Sequence, residues 1–279
     1  MTNLRNAFSV DVEDYFQVLA FEPVISREHW PRYELRVRRN VDLILAMMDE
    51  RRVKGTFFIL AWIAEREPEM VSQIAAHGHE IASHGCMHDR VTTLTPEQFA
   101  KDLRASKSLL EDLSGTEVIG YRAPSYSINA TNMWALPAIA DAGYRYSSSI
   151  YPGKHDFYGM PDAPRFPYKP LGDGLLEIPI TTVEFAGRRL SCGGGGFFRL
   201  WPYGLFRACV RRVNDVDGQS AVFYMHPWEV DPDQPRVHDA PLRSRFRHYL
   251  NLRRVVPRLR RLLADFEWDR MDRVYGLRN

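Results

Sequence analysis

The chain has 279 residues, 45% of them hydrophobic and 26% charged, and a formal net charge of +2. That make-up suits a folded chain with a large core and excludes disordered and collagen-like classes; so small a charge gives no reason to expect nucleic acid as a partner. Cys86, Cys192 and Cys209 are odd in number, scattered and without a C-x-x-C, which excludes a disulfide framework and a thiolate zinc site.

In chain order, residues 7–12 (AFSVDV) read as a buried strand, and 34–51 carries an apolar helical stripe through Val37, Val41, Ile44, Leu45 and Met48. A strand is expected over 53–60, a short helix over 68–78 between Pro and Gly, and a strand over 79–85. Thr95 and Pro96 open a helix that Gly115 should stop. Then come a strand at 117–124, a helix at 131–143 that Pro137 could kink, and strands at 144–150, 175–181 and 220–227. A helix over 202–214 precedes the last of these, and a basic helix over about 242–266 follows it. Two stretches break the rhythm, the Pro-rich 151–170 and CGGGGFF at 192–198, and both read as long loops. The second could be a wall of aromatics (Phe197, Phe198, Trp201, Tyr203) for stacking sugar rings, or a loop that caps the fold.

This alternation favours a parallel α/β architecture, whose active sites gather where strands end. Polar residues fall at those ends. Asp11, Glu13 and Asp14 close the first strand, His84 and His88 follow the third, Arg122 the fourth and His226 the last. Two histidines four apart plus a carboxylate can hold a divalent cation and leave a position open. A second carboxylate can then serve as base, a guanidinium can orient it, and a histidine can act as acid.

SVDVED, SHGCMH, YRAPSY and FYMHP together resemble the motifs of the NodB-homology polysaccharide deacetylases, carbohydrate esterase family 4. The resemblance implies a distorted (β/α)7 barrel, similar to a TIM barrel, over residues 1–235, with a basic helical extension packed on it over 236–279. It implies metal-dependent hydrolysis of acetyl groups on a polysaccharide or oligosaccharide. Asp11 would be the base, Arg122 its orienting partner and His226 the acid. His84 and His88 would be ligands, with Glu13 or Asp14 as the third; the D-x-E spacing favours Glu13, which shares a face with Asp11. Ser125, Tyr126 and Trp228 would touch substrate, with a backbone N–H near Ser125 or Tyr126 as oxyanion donor. The cation would be zinc, with cobalt, nickel or iron as alternatives. The partner expected is an acetylated glycan, with peripheral membrane contact through the basic helix as a further option and the oligomeric state open. Similar deacetylases accompany exopolysaccharide assembly. With no apolar leader in MTNLRNAFSVDVED, a cytoplasmic location is expected. Two other readings remain: a metal-independent, allantoinase-like amidohydrolase on a cyclic ureide, and a glycan-binding relative without catalysis.

Overall fold

The computed structural model describes residues 4–278 apart from 155, 157 and 186. Its strands are β1 (Asn6–Val12), β2 (Thr56–Ile59), β3 (Glu80–Ser83), β4 (Gly120–Tyr121), β5 (Tyr146–Ser147), β6 (Leu176–Glu177), the hairpin β7 (Thr182–Phe185) and β8 (Arg188–Ser191), then β9 (Val222–Met225) and β10 (Trp268–Asp269). Helices α1 (Val37–Asp49), α2 (Ala61–Arg66), α3 (Pro68–Ala76), α4 (Pro96–Ser114), α5 (Ala135–Asp141), α6 (Gly195–Leu200), α7 (Tyr203–Asp215), α8 (Leu242–Tyr249), α9 (Val255–Asp265) and α10 (Met271–Val274) lie between them.

Eight strands form one parallel sheet in the order β10-β1-β2-β3-β4-β5-β6, with β9 also on β1. β1 is buried along its whole length, as a strand flanked on both faces must be, so Ser9 and Asp11, which alternate with Phe8, Val10 and Val12, are as inaccessible as their apolar neighbours. The sheet curls, and the gap between β6 and β9 is bridged by irregular chain. Tyr224 N–H donates to Gly193 O (2.7 Å), and Cys192 N–H to Thr181 O (3.1 Å). This is a distorted α/β barrel, and it brings the C-terminal ends of β1, β3, β4, β5 and β9 to one rim.

Local chemistry sets the helix ends. Thr95 and Gln98 form a reciprocal capping box, and Gly115 stops α4 in the left-handed conformation. α1 has no cap from its own first residues. Asp14 supplies it from across the fold, accepting from Arg36 N–H (2.6 Å) and Val37 N–H (2.8 Å).

Several expectations need correction. Pro137 produces no kink, because the helix begins at Ala135 and the ring falls in the first turn, where an unbonded nitrogen costs nothing. The basic helix expected over 242–266 is two helices separated at Asn251, which adopts a left-handed conformation (φ 54°). CGGGGFF is no flexible wall: α6 starts within it and Phe198 is fully buried. The glycines are there for close approach, since a Cβ on Gly193 would lie 2.6 Å from Val222 O and one on Gly194 2.8 Å from the Tyr224 ring. The hairpin β7–β8 and strand β10 were not anticipated. Of the Pro-rich loop, residues 155 and 157 lie outside the described ones. The segment after residue 235 also does more than pack outside: Trp268 and Asp269 pair with Asn6 and Ala7 in the central sheet.

Candidate active site

β1 delivers Asp11 and Glu13 to the rim on the same side, as residues two apart on extended chain must be. Arg122, fully buried just past β4, donates from Nη1 to Asp11 Oδ1 (2.5 Å) and to Ser9 Oγ (3.0 Å). Ser148, just past β5, accepts from the other guanidinium nitrogens, Nε to its carbonyl (3.2 Å) and Nη2 to its hydroxyl (3.0 Å). Phe58 lies flat beneath, 4.0 Å from the guanidinium carbon. Arg122 can therefore point only one way, and Asp11 with it.

Glu13, His84 and His88 meet beside this pair, each buried, with one ligand atom apiece lying within 4.8 Å of the others. His84 donates from Nδ1 to Arg122 O (2.8 Å), which fixes its tautomer and leaves Nε2 a lone pair for a ligand role. Burial pushes His84 down to about 4, so its ring is neutral at physiological pH. Glu13 would be pushed up by burial, yet His88 and His226 beside it draw it down to about 2. Its Oε2 is buried without a hydrogen bond although His88 Nε2 lies 2.8 Å away. A buried carboxylate oxygen whose neighbours are imidazoles, one of them held neutral, fits a divalent cation.

Asp14 is not part of this group. Besides capping α1, it accepts from Tyr15 N–H (2.8 Å), and burial pushes it up to about 6. Both its oxygens accept from backbone N–H groups and it lies outside the Glu13–His84–His88 cluster, so the expectation of Asp14 as a ligand is withdrawn.

His226 closes the opposite wall. Its Nε2 lies 3.5 Å from Glu13 Oε1, and its Nδ1 donates to Glu229 Oε1 (2.8 Å). Burial opposes a proton on this ring, but Glu13 and Glu229 outweigh it and hold His226 up at about 9. These residues line a cavity of about 200 Å³ with Ser125, Tyr126, Tyr158, Tyr224, Trp228 and Arg247 among its walls. Ser125 and Tyr126 both carry positive φ (56° and 48°), backbone strain of the kind that collects at functional sites.

The polysaccharide deacetylase family matches residues 31–147, and a domain of unknown function (DUF3473) matches residues 148–276. The part matched to the polysaccharide deacetylases therefore holds β2 to β5, and with them His84, His88 and Arg122. It is similar to a peptidoglycan deacetylase-like protein of Gibberella zeae, 32% identical over 115 residues, which are 40% of this chain and 33% of that protein. The chain thus spans about a third of the length of the first curated relatives it matches. Among solved structures, a candidate polysaccharide deacetylase of Pseudomonas aeruginosa superposes with a TM-score of 0.63 at 17% identity, over 98% of this chain and 90% of that one. An allantoinase superposes with a TM-score of 0.59 at 14% identity, over 98% and 89%. These last two likenesses speak for the fold.

The residues that sequence reasoning missed are those that orient the others. Ser9 and Ser148 grip Arg122. Glu229, three residues after His226, fixes its Nδ1, and Arg199 Nε lies 3.2 Å from the second Glu229 oxygen. Gly195 makes that approach possible, because a Cβ there would lie 2.1 Å from the Glu229 carboxylate. The signal was present in HPWE, where an acid at i+3 after His226 makes a capping box, and in the glycine run. Trp228, expected at the substrate, lines the cavity and stacks between His226 (5.2 Å) and His248 (4.0 Å). Tyr126 N–H is committed to Ala123 O (3.1 Å), which takes it out of the running as an oxyanion donor.

Proposed function

We propose that this protein removes N-acetyl groups from a polysaccharide or oligosaccharide. The observation that carries the reading is one buried cluster, Glu13–His84–His88, flanked on one side by the Arg122-held Asp11 and on the other by the Glu229-held His226. Glu13, His84 and His88 would hold a divalent cation, zinc first among those that favour two imidazoles and a carboxylate. When bound, the cation supplies Lewis acidity to a carbonyl oxygen and eases deprotonation of water.

The chain's own residues do the rest. Asp11, oriented by Arg122, takes a proton from water as the water oxygen bonds to the acetyl carbon. Ser125 N–H, on the strained turn, serves as donor to the developing oxyanion. His226 gives its Nε2 proton to the amide nitrogen as the C–N bond breaks, releasing acetate and an amine. Glu229, bound to Nδ1, keeps that ring in the required orientation while its charge changes. Ser125, Tyr126 and Trp228 form the wall against which the acetamido group lies, and the cavity has room for that group rather than for a long chain, so the glycan itself would run across the mouth.

The three cysteines are all free, which suits work in a reducing compartment such as the cytoplasm. The ureide reading gains nothing from a site built around Glu13, His84 and His88. The test is acetate release from N-acetylated chito-oligosaccharides, with allantoin as the rival substrate. Acetate release abolished in Asp11→Asn supports the reading, and turnover of allantoin alone overturns it.

A further inference from the structure

The arginine-rich C-terminal region divides into two helices with opposite uses. α9 turns Val255, Leu259, Leu262 and Leu263 into the core, so its basic face is simply the solvated side of a packed helix. α8, LRSRFRHY, is the reverse. Its inward side is anchored by His248, buried and stacked on Trp228 at 4.0 Å and packed on Phe21 at 4.5 Å. Leu242 and Phe246, one turn apart on another face, are 79% and 63% exposed. Arg243, Arg245 and Arg247 interleave with them, and α8 carries no acid.

The exposed apolar surface continues beyond α8. A groove of about 400 Å³ runs between α8 and α6, lined by Phe197, Leu200, Phe246 and Leu250 with Arg243 and Arg247 at its edge; Leu200 is 50% exposed. Arg243 and Arg247 share the Asp156 carboxylate (2.7 and 2.8 Å), which leaves the arginines in excess. Arg247 also lines the catalytic cavity, so groove and cavity adjoin. No helix among the described residues is long and apolar enough to cross a membrane.

We propose that α8 and the α6–α8 groove form a docking surface for an anionic lipid membrane. Phosphate headgroups meet the arginines, while Leu242, Phe246 and Leu200 enter the boundary between headgroups and acyl chains. Charge complementarity selects this occupant: an apolar patch with an excess of arginines and no acid on its helix suits an anionic interface better than a neutral apolar partner. Docked this way, the protein holds the mouth of its catalytic cavity at the lipid surface.

The test is co-sedimentation of the full chain with vesicles of phosphatidylglycerol and phosphatidylcholine in equal parts, and with vesicles of phosphatidylcholine alone. The expected result is binding to the anionic vesicles only, lost at high salt. Leu242→Ser with Phe246→Ser, and separately Arg243→Glu, should each weaken partitioning at least tenfold while unfolding at the wild-type temperature. Binding is scored without turnover, so it stands or falls apart from the deacetylase reading. Failure of the wild type to bind anionic vesicles overturns the proposal. So does equal binding by the double variant, which would move the contact elsewhere, and so does equal binding to neutral vesicles.

Discussion

Glu13 and Asp14 are neighbours in sequence and have opposite environments. Successive side chains of extended backbone point to opposite faces, so one reaches the imidazoles and the other the start of α1. Asp14→Ala should therefore cost about 1–2 kcal/mol of stability, the usual worth of a helix cap, and leave metal content unchanged. Glu13→Ala should abolish metal retention at little cost in stability. Denaturant titration alongside metal analysis separates the two. Gly195→Ala and Glu229→Gln act one step from the chemistry, by disturbing the hold on His226. Each should lower kcat roughly tenfold to hundredfold, as loss of an outer-shell partner does, with the cation still bound. At this scale the sequence was informative about chemistry-bearing side chains at strand ends. It was silent about Ser9, Ser148 and Arg199, ordinary residues whose roles exist only once β1, β5 and α6 converge.

Among the elements, those governed by local chemistry were legible. The Thr95 box with its Gly115 stop, and the apolar stripe of α1, depend on residues three or four apart and so can be read from a short window. The break at Asn251 and the start of α6 within the glycine run depend on what lies across the fold, and no window contains that. β4, β5 and β6 are only two residues each, and neighbours rather than propensity hold them in the sheet. β6 also carries a buried acid. Glu177 accepts from Ser149 and Ile150 N–H (both 2.8 Å), and burial pushes it up to about 7 from an ordinary 4.5. Folded protein thus keeps a proton that the unfolded chain releases between those values, so this group's contribution is full below pH 4.5 and is lost as pH rises to 7. Glu177→Gln should remove that part of the decline, of order a few kcal/mol. Melts of both proteins from pH 5 to 8 would show it, and an unchanged profile would contradict it.

For the whole molecule, β10 closes on β1 across almost the full length of the sequence. Trp268 on β10 packs against Phe8 (5.9 Å) and Phe223 (6.1 Å), and Met271 N–H donates to Thr56 Oγ1 (2.8 Å), so residues 268–271 complete the sheet around β1. The matches to two families meet between residues 147 and 148, at the end of β5, and one barrel runs through both. Trp268→Ala should consequently cost about 3–5 kcal/mol, as loss of a buried aromatic does, although it lies far from the cavity in sequence. The unfolding midpoint in denaturant checks this.

The proposed function requires the barrel to hold one cation between Asp11 and His226. The most direct measurement is metal content of the purified protein together with acetate release, for wild type and for His84→Ala with His88→Ala. The wild type should carry about one divalent ion per chain, with ion and activity lost together in the variant and the fold retained by circular dichroism. A folded double variant that still released acetate at the wild-type rate would contradict it.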